Sequence, residues 1–141
     1  MRKVTILFCL ASLLVFTGCH QVTVDVVAAR KLSDEFMSDM IAHHADAALD
    51  KMESEFRKEV NRSDFASQVE KLSQYCGWPL DSELKGIQPG FKTFIDGHTN
   101  PTLRFTYATA TNQAPKGQCF FSIEIAQAGN TVSVTSFGPL K

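Results

Sequence analysis

Four side chains able to bind a metal ion or transfer a proton recur at helical spacing in the N-terminal half. They are Asp39, His43, Asp46 and Asp50. On one unbroken helix this spacing would place all four on one face, where an imidazole flanked by carboxylates suits a divalent cation or acid–base catalysis. However, the polar face lies opposite the apolar one, the first helix is expected to end inside the set, and Asp46 is expected to cap the next helix. We therefore predict a solvated surface here, with no metal site.

Two further histidines are explained by local structure. His44 lies nearer the apolar face than His43, which indicates a packed or loop-end side chain. His98 stands beside Asp96 and Asn100 in a segment typical of turns. No serine or cysteine occupies a nucleophile elbow, and no glycine-rich loop joins a strand to a helix. The sequence therefore predicts no catalytic residue and no cofactor.

The first 18 residues have the layout of a bacterial secretory signal. Two basic residues precede an apolar run of about 13 residues from Val4 to Phe16, whereas a membrane-spanning helix needs ~20. The run leads into Val15-Phe16-Thr17-Gly18-Cys19, which resembles the lipobox of bacterial lipoproteins, with Phe16 where that motif usually has leucine. The resemblance implies cleavage before Cys19 and acylation of that cysteine, palmitate included, as the new N-terminus.

The same resemblance implies a location in the cell envelope. An aspartate after the lipidated cysteine often signals inner-membrane retention, and here His20 follows Cys19. We therefore expect an outer-membrane protein that faces the periplasm and is held at the membrane by its lipid. Ordinary cleavage near Gly18 or His20, which would release a soluble protein, is the alternative.

The remaining chain is long enough for one domain. Removal of residues 1–18 leaves 123 of the 141 residues, and a net charge of about −3 because two of the 14 basic residues and none of the 15 acidic ones are removed. A mildly acidic, mixed surface argues against nucleic-acid binding. We expect a tether at residues 19–25 and a single domain at residues 26–141.

Apolar periodicity predicts helices in the first half of this domain. A helix begins near Val26 and breaks near residues 42–45, and a second helix capped by Asp46 carries apolar residues as far as Phe56. A third helix covers Asp64 to Tyr75.

Ser63 is expected to cap this third helix, and a glycine and a proline directly after it end it. After Trp78 the pattern changes to that of strands. The expected strand segments are Leu80–Ile95, interrupted by Gln88-Pro89-Gly90, then Thr102–Thr111, Gln118–Gln127 and Thr131–Phe137. Three helices followed by a curved antiparallel sheet of about four strands is an α+β pattern.

This order resembles the nuclear transport factor 2-like superfamily, in particular its small secreted members of unknown function. The resemblance covers about residues 26–138. It depends on Phe36-Met37, Asp46-Ala47-Ala48-Leu49, Ser63-Asp64-Phe65 and Tyr75-Cys76-Gly77. It implies a cone-shaped sheet wrapped around a helix, sometimes with a pocket, and some members are isomerases or dehydratases. A cystatin-like sheet with fewer helices is the competing fold.

Two cysteines remain in the domain once Cys9 is assigned to the signal and Cys19 to the lipid. Cys76 continues a helical stripe and Cys119 begins an alternating apolar strand, so both thiols are expected to point toward the core. In an oxidising compartment an even pair predicts a disulfide, here between the third helix and the sheet. Two separately buried free thiols are the alternative.

These features favour a non-enzymatic envelope lipoprotein that binds a protein or a small ligand. An envelope enzyme that uses a cavity of the cone is one alternative. A periplasmic inhibitor of a toxin or lytic enzyme is another. A filled cone would argue against the enzyme, and a deep cavity with converging polar groups would favour it.

Overall fold

The computed structural model describes residues 23–140 and has the predicted α+β class, with a curved four-stranded antiparallel sheet and one disulfide. It contains four helices, one more than predicted. The elements are α1 (Val26–Ile41), α2 (Ala45–Asp50), α3 (Ser54–Glu59), α4 (Arg62–Cys76), β1 (Glu83–Thr93), β2 (Thr99–Thr109), β3 (Cys119–Ala128) and β4 (Thr131–Leu140).

The signal, the lipobox and most of the tether fall outside the described residues. Within residues 23–140, every helix is too short or too polar to cross a membrane.

Helix α1 is defined by clear signals at both ends. The Asp25 carboxylate accepts hydrogen bonds from the backbone N–H groups of Val27 and Ala28, at 2.9 and 3.0 Å. At the other end, the His44 N–H donates to the carbonyl of Asp39 and the His43 N–H to that of Met40. These two bonds form a Schellman motif, which ends the helix inside the aspartate–histidine set.

The segment after α1 departs from the prediction. His44 and not Asp46 occupies the N-cap of α2, and Asp46 lies in the first turn. The second helix does not continue to Phe56, because the chain at residues 51–53 runs beside β4. There the Glu53 N–H donates to the carbonyl of Val134, and the Val134 N–H donates to that of Lys51, both at 2.9 Å. Hydrogen bonding to a sheet edge overrides the local helical pattern, and α3 begins only afterwards.

Helix α4 begins two residues earlier than expected. Asn61, and not Ser63, is its N-cap, since the Asn61 side-chain oxygen accepts from the N–H of Asp64 at 2.9 Å. The Ser63 hydroxyl instead donates to the same oxygen of Asn61. Phe65 and Val69 are buried on the inner face, and the helix ends at Cys76.

The sheet has the simple order β1-β2-β3-β4. The expected interruption at Gln88-Pro89-Gly90 is wrong, because β1 continues through Pro89, which pairs with Leu103. Pro89 is tolerated because β1 is an edge strand, so its missing N–H need not serve a second neighbour.

The helices cover only part of the sheet. Helix α1 packs on β2, β3 and β4 and α4 packs on β4, whereas β1 packs chiefly on β2. The core between these layers is continuous and dominated by aromatic and branched side chains. Its largest members are Tyr107, Phe36, Phe65, Phe105, Phe121, Met37, Ile123 and Ile125. On the uncovered β1, Ile87 and Phe91 remain 40% and 78% exposed.

One contact shows how strongly the sheet curves. The Lys92 ammonium of β1 lies 2.9 Å from a Glu53 carboxylate oxygen and 3.4 Å from the carbonyl oxygen of Thr135 in β4. Strands β1 and β4 are the two edges of the sheet, so these edges approach each other near the tips of the two hairpins.

Candidate functional site

The structure separates the aspartate–histidine set predicted to be a solvated surface. Asp39 pairs with Lys51 at 2.5 Å, whereas Asp46 and Asp50 both pair with Arg62, at 3.4 and 3.1 Å. Because α1 ends inside the set, the side chains point in different directions. Among residues 23–140, no three histidine, cysteine or carboxylate side chains are grouped closely enough to hold a metal ion.

His44 and His98 occupy the loop positions that the sequence indicates. His44 is exposed at the N-cap of α2. His98 lies in the β1–β2 turn, where its backbone N–H and its ring contact the Asp96 carboxylate. The N–H bond is the main reason that the pKa of Asp96 lies below its ordinary value. The His98 ring also stacks on Phe94, with centroids 4.3 Å apart.

Cys76 and Cys119 form the predicted disulfide, with their Cα atoms 6.0 Å apart. It joins the end of α4 to the start of β3. Directly after it, Gly77 adopts φ +84° and packs so closely on the loop after β2 that an added Cβ would lie 2.6 Å from Asn112 Oδ1. A hydrogen bond of 2.6 Å from the Thr111 hydroxyl to the Cys76 carbonyl holds the same loop.

An aromatic stack extends this region. His43, the residue in the left-handed conformation at the end of α1 (φ 61°), stacks on Trp78 with ring centroids 4.1 Å apart. The Trp78 backbone N–H donates to Asn112 Oδ1 at 2.8 Å. Its indole Nε1 is buried and has no hydrogen-bond partner within residues 23–140. We call this region, residues 42–44, 76–80 and 111–119, the disulfide end.

A polar network between α1 and β2 centres on Tyr107. Its hydroxyl donates to Asp34 at 2.8 Å, and because that uses its one proton, the Ser33 hydroxyl, also at 2.8 Å, donates to it. Arg30 completes the network through Asp34 at 2.7 Å. Burial, helped by the adjacent carboxylate, raises the pKa of Tyr107 well above its ordinary value. A phenol held protonated between α1 and β2 is suited to structure and not to proton transfer.

One open cavity, which we call the hairpin cleft, has a volume of about 540 Å³. It lies between the segment after α2 and the tips of the β1–β2 and β3–β4 hairpins. Its main lining side chains are Met52, Glu53, Arg57, Phe94, His98 and Val132.

Charges at the hairpin cleft are largely neutralised by neighbours. Glu53 and Lys92 form an ion pair in which the side chains are only 18% and 28% exposed. The Lys92 ammonium also lies 4.9 Å from the Phe94 ring centroid, a cation–π distance. Such a wall can position a polar ligand.

The second cavity, the terminal groove, has a volume of about 480 Å³ and lies beside the disulfide. The last turns of α4 and the end of β4 line it. Its lining residues are Leu72, Tyr75, Cys76, Phe137, Gly138, Pro139 and Leu140. Tyr75 and Leu140 are 72% and 41% exposed, and the side chains that line the groove are apolar apart from the Tyr75 hydroxyl.

The sequence did not single out this groove. Tyr75 was recognised only as the end of a helix and Cys76 as half of the disulfide, and the region after Phe137 was not expected to be a strand. Pairing of Phe120 with Leu140 extends β4 and brings its end beside α4. The groove therefore arises from a long-range pairing, and the exposed Tyr75 at the end of the helix was its only local signal.

Aromatic side chains of β2 and β3 fill part of the core. Phe105, Tyr107 and Phe121 are buried under α1 and α4, and Phe94 lines the hairpin cleft. The concave face of the sheet is thus packed with side chains.

Comparison of the chain with models of protein families, with curated proteins and with solved structures finds no match.

Proposed function

We propose that this protein is a bacterial envelope lipoprotein, anchored by a lipid on Cys19, whose α+β domain binds a partner protein through the terminal groove. The nuclear transport factor 2-like assignment is part of the same proposal. No catalytic step is required of the domain. Its role is to hold a partner near the membrane, and inhibition of a lytic enzyme or toxin is one form that this role can take.

The observation that carries the proposal is the exposed Tyr75 above an apolar groove. Tyrosine is enriched among the residues that dominate binding energy, because its ring buries a large area while its hydroxyl tolerates water. Leu72 and Leu140 flank it, and the adjacent disulfide fixes the walls. A rigid groove loses little conformational entropy on binding, which favours affinity.

The filled cone gives less support to the enzyme alternative. Buried aromatic rings occupy the concave face, and Tyr107, the described group with the largest pKa shift, is locked in the core by Ser33 and Asp34.

A small ligand in the hairpin cleft is the second candidate. The volume of the cleft, about 540 Å³, lies within the range of small-molecule sites. Arg57 and His98 at its wall would favour a ligand with a hydrogen-bond acceptor.

Photo-crosslinking from position 75 in living bacteria tests the groove. A benzophenone amino acid at position 75 should capture one partner, and the same group at position 74, which is exposed on the outer side of α4, should not. In a pull-down from envelope extracts, Tyr75→Ala should lose that partner and Gln74→Ala should retain it. Retention of the partner by Tyr75→Ala would overturn the assignment of the groove.

The anchor is tested separately by the intact mass of the mature protein. An acylated N-terminus at Cys19 is expected, and Cys19→Ser should release the protein into the soluble periplasmic fraction. A mature chain without acyl groups would contradict the lipoprotein proposal and leave the groove experiment valid.

A further inference from the structure

The place at which the chain enters the domain determines which surface a lipid anchor would hold near the membrane. Asp25 caps α1, and its backbone N–H donates to the side chain of Gln127 near the end of β3, at 2.6 Å. The start of α1 is therefore fixed beside the β3–β4 hairpin. The tip of the β1–β2 hairpin lies on the same side of the domain, because the start of β2 pairs with the end of β1 and with the end of β3.

We call this region the hairpin end and define it as residues 24–27, 94–98 and 128–131. It lies opposite the disulfide end, because α1 connects the two. The residue before α1 is bonded to Gln127, Ser33 within α1 is bonded to Tyr107, and His43 after α1 stacks on Trp78.

The hairpin end carries large apolar side chains that the domain does not cover. Ile95, at the tip of the β1–β2 hairpin, is fully exposed. Val27 is 81% exposed and Val26 is 51% exposed. Phe91, close to the same tip, is 78% exposed.

A short tether would keep these side chains at the membrane. Val24 lies five positions after Cys19, and a fully extended chain covers about 3.5 Å per residue, so the tether spans at most about 18 Å. This inference rests on the proposed lipidation of Cys19. We propose that the hairpin end lies against the bilayer surface, with Ile95 and Val27 in the headgroup region, so that the terminal groove faces away from the membrane.

The chemistry of this surface indicates an apolar and not an electrostatic contact. The charged side chains of the hairpin end are Asp25 and Asp96, and it contains no lysine or arginine, so attraction to anionic lipid is not expected. A few apolar side chains bind a bilayer weakly on their own. Attachment through Cys19 raises their effective concentration at the surface, which makes a weak contact persistent.

Fluorescence quenching by brominated lipid tests this orientation. The mature lipoprotein, reconstituted in vesicles of phosphatidylethanolamine and phosphatidylglycerol with brominated acyl chains, is compared as Ile95→Trp and as Gln113→Trp. Both positions are exposed, but Gln113 lies at the disulfide end. Quenching is expected to be several-fold stronger for the tryptophan at position 95. The native Trp78, at the disulfide end, should be unaffected in the parent protein.

Equal quenching at the two positions, or stronger quenching at position 113, would overturn the proposal. In the Ile95→Trp variant, a blue shift of the emission that grows with protein concentration in the absence of vesicles would also overturn it, because a second copy of the chain would then cover the surface. If the mass of the mature protein shows no acyl group, the proposed function fails. The same quenching measurement on residues 19–141 with a lipid coupled chemically to Cys19 then still decides the orientation.

Discussion

The two ends of this domain are held together by different kinds of interaction. The disulfide end combines a covalent bond, a glycine in close contact with a neighbouring loop, and hydrogen bonds that involve backbone groups. The hairpin end has backbone hydrogen bonds within its β1–β2 turn, and the sheet edges beside it are drawn together by side chains, the Glu53–Lys92 ion pair. Side-chain contacts can rearrange at modest cost, whereas the disulfide end can change little without unfolding.

This difference bears on where binding is expected. A groove beside the disulfide is preorganised, so little conformational entropy is lost when a partner binds there. The hairpin cleft has walls that depend on an ion pair and on the β1–β2 hairpin, and its shape can follow its surroundings. The contrast predicts that substitutions at the disulfide end cost more stability than those at or beside the hairpin end.

Removal of the disulfide should have the largest effect. The bridge closes a loop with a sequence separation of 43, so the Cys76→Ser/Cys119→Ser double variant should lose about 4 kcal/mol of unfolding free energy, because the unfolded chain gains the entropy of an open loop. Urea unfolding of both proteins measures the difference. The parent protein with the bridge reduced should match the double variant. A loss below about 1 kcal/mol would show that the disulfide end does not depend on its bridge.

Gly77→Ala should be the next most damaging change. The left-handed φ of +84° disfavours any Cβ, and here that Cβ would lie 2.6 Å from Asn112 Oδ1 and 2.7 Å from Thr111 Oγ1. Strain and crowding together should cost about 3 kcal/mol in urea unfolding.

Gly86→Ala in β1 is the matched control for Gly77→Ala. A Cβ at Gly86 meets no atom within 4 Å, and its φ is not in the left-handed region. This control should leave stability nearly unchanged. Equal losses in the two variants would mean that the close approach at Gly77 has no energetic weight.

Tyr107→Phe tests the middle of the α1–β2 contact, between the two ends. It removes the hydroxyl that joins Ser33 to Asp34, and should cost about 1 to 2 kcal/mol at neutral pH.

The contribution of Tyr107 to the free energy of unfolding also depends on pH. Because the folded-state pKa of Tyr107 lies above the ordinary value, its contribution is complete below about pH 10 and decreases as the pH rises above that value. Unfolding measured from about pH 8 to about pH 11 should show a smaller alkaline loss in Tyr107→Phe than in the parent protein. Tyr75→Phe, at an exposed position, should keep the parent pH profile, and an unchanged profile in Tyr107→Phe would contradict the assignment.

The Glu53–Lys92 ion pair, which lies beside the hairpin end, should contribute less. Since Glu53 and Lys92 are 18% and 28% exposed, Lys92→Met should cost about 1 kcal/mol, between the values for exposed and fully buried pairs. Lys85→Met is the control, because Lys85 and its partner Glu83 are 46% and 52% exposed, and it should cost less than about 0.5 kcal/mol. A double-mutant cycle with Glu53→Gln isolates the pair. A loss as large as that of Gly77→Ala would remove the contrast between the ends.

The sequence predicted the disulfide but neither the hairpin cleft nor the terminal groove. The disulfide was predicted because Cys76 and Cys119 each continue an apolar stripe that identifies the core side. The hairpin cleft and the terminal groove were not, since they arise where distant segments pair: Met52 with Val134, and Phe120 with Leu140. Local periodicity carries no information on such pairings.

The errors at the helix ends have a similar origin. Asn61, Ser63 and Asp64 are all residues that cap helices, and their order alone does not decide which side chain accepts the backbone bond. At Pro89 the local signal was for a break, but an edge position removes the cost of the missing N–H.

Substitution of His43 by glycine should change the free energy of unfolding least. It removes two opposing contributions at the disulfide end, backbone strain and ring stacking. The left-handed φ of His43, 61°, costs about 1 kcal/mol relative to glycine, whereas its stack on Trp78 contributes about 0.5 to 1.5 kcal/mol. His43→Gly removes the strain together with the stack, so its unfolding free energy should nearly equal that of the parent protein. His43→Ala loses the stack and keeps the strain, and should be less stable than His43→Gly by about 1 kcal/mol. Equal stability of the two variants would mean that the end of α1 relaxes once the ring is removed, and the stack would then be what holds His43 in this conformation.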